Sequence, residues 1–252
     1  MIPIADENPS RSTPYVVFIL LAVNVLVYLY ELVGGDTSAY SMIPFSVIHD
    51  ERVVPVFNQV RQLVGYKPVP GVGPHPQWLT ILTSMFMHAG LLHIAGNMLY
   101  LWIFGNNIED TLGHLKFLAF YLACGVLAAI THILTGPQSI IPTVGASGAI
   151  AGVLGAYLYL CPGNRVHTLV LLGFFWTRVE IPAVFVLGVW FVTQLLGLGS
   201  SGGQIGGGVA YGAHVGGFVA GLVIVFLLGG RSLRRPRSRY SRSFDRYRMW
   251  GE

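Results

Sequence analysis

The sequence predicts an all-α integral membrane protein: a bundle of six transmembrane helices with a long first loop. Of the 252 residues, 53% are hydrophobic and only 10% are charged, against about 25% charged in soluble domains. The apolar residues gather into six runs near the roughly 20-residue length that crosses a bilayer. The charges fall almost entirely between these runs and in the C-terminal tail. One membrane domain, residues 14–230, accounts for the apolar part. A cytoplasmic N-terminal segment, 1–13, precedes it, and a basic tail, 231–252, predicted to be disordered and cytoplasmic, follows.

Residues 14–33 (PYVVFILLAVNVLVYLYELV) form the first span. The polar start has no basic region and no small-residue cleavage site follows, so the run reads as a retained helix and not as a signal peptide. Residues 34–77 are rich in Gly and Pro and carry Asp36, Asp50, Glu51, Arg52, Arg61 and Lys67, which excludes a span; the first loop runs over about 34–90. The second span begins near Leu91 and ends at Asn106-Asn107-Ile108-Glu109-Asp110, and the third runs from about Leu115 to Leu134, before Gly136-Pro137. The fourth starts after Pro142 and stops at Pro162-Gly163-Asn164-Arg165, the fifth covers about 181–198, and the sixth runs from Val209 to Leu228. Cys124 and Cys161 lie in or at the edge of apolar runs and read as buried thiols. Without a spaced Cys/His cluster, neither a metal nor an organic cofactor is expected.

Basic residues in the connections set the orientation, because the cytoplasmic side retains Lys and Arg. With both termini inside, that side holds Arg11, Lys116, Arg165, Arg178 and the tail arginines from Arg231 to Arg248, leaving only Arg52, Arg61 and Lys67 outside. The tail, SLRRPRSRYSRSFDRYR, suits anionic lipid headgroups at roughly 1 kcal/mol per basic residue; no nucleic-acid partner is expected.

This topology brings four polar residues into the outer half of the membrane. His93 and Asn97 are four apart near the outer end of the second span and share a face. Ser147 stands at the outer end of the fourth, within Gly145-Ala146-Ser147-Gly148, and His214 lies about five residues into the sixth. Polar residues inside spans are expensive and usually face the bundle interior or a water-filled cavity. Helix 4 carries a small-residue face of Ser147, Gly148, Ala151, Gly152 and Gly155, and helix 6 carries Ala213, Gly217 and Gly221. Small residues at this spacing let backbones approach closely, close enough for a direct Ser-His hydrogen bond of roughly 2.6–3.2 Å.

In order and by helix, His88-x4-His93-x3-Asn97, then Gly145-Ala146-Ser147-Gly148, then Ala213-His214-x2-Gly217-x3-Gly221 resemble the signatures of the rhomboid intramembrane serine proteases, over about Trp78 to Leu228. The Gly-x-Ser-x-Gly elbow of soluble hydrolases does not fit, since Ala149 follows Gly148. The resemblance implies a serine endopeptidase in which Ser147 is the nucleophile and His214 the general base. It assigns oxyanion stabilisation to the Ser147 backbone N–H and the side chains of His93 and Asn97. His88, Gly145, Gly148, Gly217 and Gly221 would play supporting parts, His88 by stabilising the first loop or the oxyanion site. Charge placement also implies a dyad, because Glu109, Asp110 and Glu180 all map to the inner side. Glu109 is expected to hydrogen-bond a loop or a neighbouring helix.

Two departures from the family stand out. The first loop reads Gln77-Trp78-Leu79-Thr80, without the Trp-Arg pair of many members, so loop anchoring must differ. Ala151 replaces a tyrosine that some members place four residues after the nucleophile to pack beneath the histidine, so another aromatic must hold His214 or hold it less tightly. The implied partners are single-pass transmembrane substrates that reach Ser147 laterally past helix 5, where Phe185, Trp190 and Phe191 could form a bulky gate. The implied compartment is the cytoplasmic membrane of a prokaryote. A non-proteolytic rhomboid-like protein that binds transmembrane helices is the alternative, although such members typically lack the serine or the histidine. A small transporter is disfavoured because no broken-helix pair or inverted repeat is visible.

Overall fold

The structure, a computed structural model, describes residues 2–8, 10–58, 63–69, 71, 73–172, 175–200 and 208–233. The tail beyond residue 233, with the disorder and lipid binding expected of it, and Arg61 lie outside these residues. Each apolar run of the sequence folds as a helix, and short helices lie in the loop between the first two. In chain order they are α1 (Tyr15–Leu32), α2 (Pro44–His49), α3 (Thr80–Thr83), α4 (Leu91–Tyr100), α5 (Asn106–Leu112), α6 (His114–Thr135), α7 (Ser147–Leu160), α8 (Ala183–Ser200) and α9 (Tyr211–Leu227). A π-helical turn, Leu101–Gly105, joins α4 to α5 without a break. Gly113, at φ +79°, stops α5 and lets α6 start at once.

Helices α1, α6 and α8 are long and apolar enough to cross a membrane, and the helical stretches 77–86 and 91–112, bent by 80°, supply a fourth crossing if taken together. At 14 and 17 residues, α7 and α9 are apolar but shorter than the roughly 20 residues of a typical span. Eleven of the fourteen residues of α7 are buried, which makes it the central post. It packs on α6 and α9, while α1 and α8 turn exposed Leu, Val, Phe and Tyr side chains outward. The small residues explain the packing. A Cβ on Gly217 would fall inside the carbonyl oxygen of Gly148, and one on Gly221 inside that of Gly152, so α7 and α9 meet backbone to backbone.

The all-α expectation is corrected by two small antiparallel sheets. In one, β1 (Ile2–Asp6), β4 (Arg165–Leu172) and β5 (Phe175–Pro182) lie in the order β1-β4-β5; in the other, β2 (Val53–Phe57) pairs with β3 (Leu63–Pro68). The connection between α7 and α8 is rich in β-branched residues and too charged to be buried in lipid, so it satisfies its backbone as a hairpin. His167 pairs with Ala5 on one side and Glu180 on the other. Its ring lies 3.9 Å from Glu7 and 3.8 Å from Glu180, and Arg165 donates to Glu180 at 3.0 Å. The N-terminal segment is thereby bound to the α7–α8 connection.

Anchors fix both ends of the bundle. The buried carboxylate of Glu109 accepts from the backbone N–H groups of Val16 (2.9 Å) and Val17 (2.8 Å) and meets Nδ1 of His114 at 2.5 Å. It caps the first turn of α1 from another helix, where orphan donors and the positive end of the dipole favour an anion. At the other end, buried Arg52 donates to the Ser41 carbonyl (2.7 Å), the Ser41 hydroxyl (3.0 Å) and the Ser38 carbonyl. This is the first-loop anchor in a chain without the Trp-Arg pair. The Asp50 carboxylate accepts from the Gln77 N–H at 2.6 Å, and Met42 exchanges backbone bonds with Thr143 at 3.1 and 2.7 Å, clipping the loop to the segment that leads into α7.

Candidate active site

The segment entering α7 is shaped by Gly145. Its N–H donates to the Ser84 carbonyl at 2.9 Å, and its φ of +124° is one that side-chain-bearing residues rarely adopt. A Cβ there would also come within 2.8 Å of Cε1 and Nε2 of His93. Gly145 therefore seats the His93 ring beside the residue that begins the helix, Ser147. The first turn of α7 leaves N–H groups without intrahelical acceptors, and the helix dipole adds partial positive charge there.

Ser147 and His214 meet across the α7–α9 contact. The Oγ of Ser147 is 2.8 Å from Nε2 of His214, which belongs to the first turn of α9. On its other side, His214 Nδ1 lies 2.8 Å from Oε1 of Gln194 on α8. The Trp190 ring, one turn earlier on α8, lies against His214 with centroids 5.8 Å apart and planes at 34°. Trp190 and Phe191 also pack on Phe218, with centroids 6.0 and 4.3 Å away. Of the three residues expected to form a gate, Trp190 packs on His214 and Phe218 and Phe191 on Phe218, both half-buried, while Phe185 is exposed. Trp190 is thus an aromatic that packs on His214 in a chain with alanine at position 151.

Helix α4 supplies the remaining polar groups. The Ala89 N–H is oriented toward His93 Nδ1 at 3.4 Å, an arrangement that leaves the ring proton on Nε2, the nitrogen facing Gly145. Asn97, one turn further along, is buried, and its Nδ2 has no hydrogen-bond partner among the described residues. A buried amide donor left unmade is costly, and this one lies one turn from His93 on the same helix face. His88 is also buried and meets His93 edge-on, with centroids 5.1 Å apart and planes at 66°; it buttresses that ring. The carboxylates considered in the sequence lie elsewhere: Glu109 caps α1, Asp110 accepts from Ser12, and Glu180 belongs to β5.

Sequence reasoning missed Gln194. It is buried, and its Nε2 points to the Trp190 carbonyl (3.2 Å) and the Thr193 hydroxyl (3.0 Å). The available signal was an uncharged polar residue inside an apolar run, four residues after Trp190 and on the same face.

Comparison with known proteins places these features in a family. The family model for the Rhomboid domain matches residues 75–231, which contain every residue of the site. The chain is 30% identical over 200 residues to the rhomboid protease GluP of Bacillus subtilis (strain 168), covering 79% of this chain and 34% of that protein. It is 28% identical over 181 residues to the chloroplastic rhomboid-like protein 11 of Arabidopsis thaliana, covering 68% and 59%. It is 34% identical over 84 residues to the putative rhomboid protease YdcA of Bacillus subtilis (strain 168), covering 33% and 42%. The chain thus spans from about a third to three fifths of the length of these relatives. With a matched domain over more than half its length and helices suited to a multi-pass membrane protein, the chain belongs to the rhomboid family.

Proposed function

We propose that this protein is an intramembrane serine endopeptidase that hydrolyses peptide bonds in or near the transmembrane segments of single-pass proteins. One observation carries the reading: a serine hydroxyl and an imidazole nitrogen stand 2.8 Å apart at the meeting of two apolar helices, where polar groups are expensive unless used. In this reading all six apolar helices cross the membrane, α7 and α9 sheltered within the bundle, and both termini are cytoplasmic. The compartment is the cytoplasmic membrane of a prokaryote, with the basic tail held to anionic lipid.

Ser147 Oγ attacks the scissile carbonyl carbon while His214 Nε2 takes its proton. His214 then gives that proton to the leaving amine, and a water attacks the acyl-enzyme by the reverse sequence. The tetrahedral oxyanion is held by the Ser147 N–H at the helix terminus, the Asn97 amide and His93 Nε2–H. Such donors are set in advance and are typically worth about 3 kcal/mol each. A helical substrate has its carbonyls engaged, so the scissile stretch must unwind first; small or helix-breaking residues near the site favour this.

The test is labelling of the purified protein by a serine-directed fluorophosphonate, beside Ser147→Ala and His214→Ala, which needs no knowledge of the substrate. Labelling confined to the unaltered protein, together with cleavage of a model transmembrane substrate in liposomes, supports the proposal. Folded, monodisperse protein that neither labels nor cleaves overturns it in favour of non-proteolytic binding of transmembrane helices.

A further inference from the structure

Resting on the hydrolytic reading above, we infer that Gln194 is a positioning residue that fixes the tautomer of His214 and ties the general base to helix α8. A neutral imidazole carries one proton, and the partner of one nitrogen decides which nitrogen holds it. Both Nε2 hydrogens of Gln194 are directed to its own helix, to the Trp190 carbonyl at 3.2 Å and the Thr193 hydroxyl at 3.0 Å. The oxygen is therefore the atom presented to His214, 2.8 Å from Nδ1. A carbonyl oxygen only accepts, so Nδ1 must hold the proton and Nε2 must keep its lone pair. That lone pair faces Ser147 Oγ at 2.8 Å, as a general base requires. Without Gln194 the proton is free to sit on Nε2, where the ring donates to the serine and cannot take its proton.

The same bond links three helices. Ser147 and His214 belong to α7 and α9, which touch backbone to backbone, whereas Gln194 belongs to α8. The buried residues of α8 are Ala183, Val186, Leu187 and Gln194, so in its second half Gln194 is the buried anchor, flanked by exposed Val192, Leu195 and Leu196. Any outward displacement of this half separates Gln194 from His214 before it disturbs the α7–α9 contact. The base is in its working tautomer when α8 is seated and loses that constraint when α8 swings away.

The experiment compares Gln194→Leu, Gln194→Met and Gln194→Glu with the unaltered protein in liposomes. It measures kcat and KM on a model transmembrane substrate, the rate of fluorophosphonate labelling, and the ¹⁵N spectrum of labelled histidines. The apolar variants are expected to lower kcat and labelling by about tenfold to a hundredfold while KM stays within about threefold. The carboxylate variant, which keeps an acceptor, should restore most of the loss. The His214 signal should report Nδ1–H in the unaltered protein and a shift toward Nε2–H in the leucine variant. Unchanged kcat in both apolar variants, or an equal loss in all three, overturns the role, the second outcome indicating packing alone. If the leucine and methionine proteins do not fold, the unaltered protein's spectrum decides: a resting Nε2–H tautomer refutes the inference. The tautomer can be read without turnover, so a protein that fails to cleave but keeps Nδ1–H refutes the hydrolytic reading and leaves the Gln194 bond standing.

Discussion

The α7–α9 contact yields the sharpest prediction, because backbone atoms oppose each other there and cannot rotate away. In Gly217→Ala the new Cβ would overlap the carbonyl oxygen of Gly148, and in Gly221→Ala that of Gly152. Ordinary contact needs about 3.5 Å, so the helices must part by something on the order of 1 Å, a displacement that typically costs about 10²-fold in rate when it falls between reacting groups. The Ser147–His214 separation of 2.8 Å lies directly in the path of this movement, three residues from Gly217 and on the same helix. Overpacking itself should cost about 1–3 kcal/mol of stability. Fluorophosphonate labelling rates should therefore fall about a hundredfold, with a lowered thermal midpoint, while Gly188→Ala, where a Cβ meets open space, leaves both at or above the starting values. Labelling and midpoint unchanged in Gly217→Ala would mean that this contact does not set the distance between the two residues, and the reasoning would be wrong.

Other perturbations separate the remaining parts of the molecule. Asn97→Ala removes the buried amide whose Nδ2 has no partner among the described residues and should lower kcat by about 10²–10³ without lowering stability; a loss of stability with kcat preserved would assign the amide to packing. Trp190→Ala should slow probe labelling and peptide cleavage alike, by roughly tenfold, because the indole lies against His214; faster cleavage of a transmembrane substrate would restore the gate reading. Glu109→Ala orphans the N–H groups of Val16 and Val17 and should cost about 3 kcal/mol in unfolding assays, with labelling per folded molecule unchanged. Burial lifts the Asp6 carboxyl from 3.8 to about 6, partly offset by hydrogen bonds from Tyr157 (2.6 Å) and Asn107 (2.9 Å). Since its folded value lies above its unfolded one, the folded state keeps a proton that the unfolded chain releases between about pH 4 and 6; stability falls by up to about 3 kcal/mol as pH rises through that window and levels off above it. Asp6→Asn should flatten this slope in pH-dependent unfolding, and a slope that persists would assign it to another group.

What the sequence makes legible and what it hides follows from the range of each interaction. The six apolar runs can be read because a helix in lipid must satisfy its backbone within a local segment. Ser147, His214, His93 and Asn97 stand out because a polar group in such a run is costly, and the Gly217-x3-Gly221 spacing announces a helix contact without naming its partner. The strand Ile2–Asp6 is not legible: five residues have little pattern, and the partner, β4, lies some 160 positions away. Gln194 was visible as a polar residue, but its acceptor role depends on a rotamer fixed by Trp190 and Thr193. Arg52 reads as a loop charge and is in fact a buried anchor, because two of its three partners, at Ser38 and Ser41, are backbone carbonyls, which side-chain chemistry does not mark.

These anchors divide the bundle into a fixed part and a movable one. Helix α7 is held at its Ser147 end by the bond from Gly145 to Ser84 and the Met42–Thr143 clip. About 15 Å along the helix, it is held again where the Tyr157 hydroxyl donates to Asp6 on β1. Because β1 also pairs with β4, the start of the chain braces the lower end of the central helix. Helix α9 shares this rigidity through its backbone contact with α7. Helix α8 makes no such backbone contact among the described residues: past Leu187 it is secured by side chains, Gln194 and Trp190 on His214, Phe191 on Phe218 and the Tyr211 ring over Gly197, with apolar side chains facing outward. In the proposed protease a substrate helix needs a way in, and the half of α8 past Leu187, where Gln194 is the one buried residue, opens at less cost than the backbone contact of α7 and α9. That opening necessarily pulls Gln194 from His214, so in the proposed protease the motion that admits substrate disarms the base, and hydrolysis waits until α8 has closed around it.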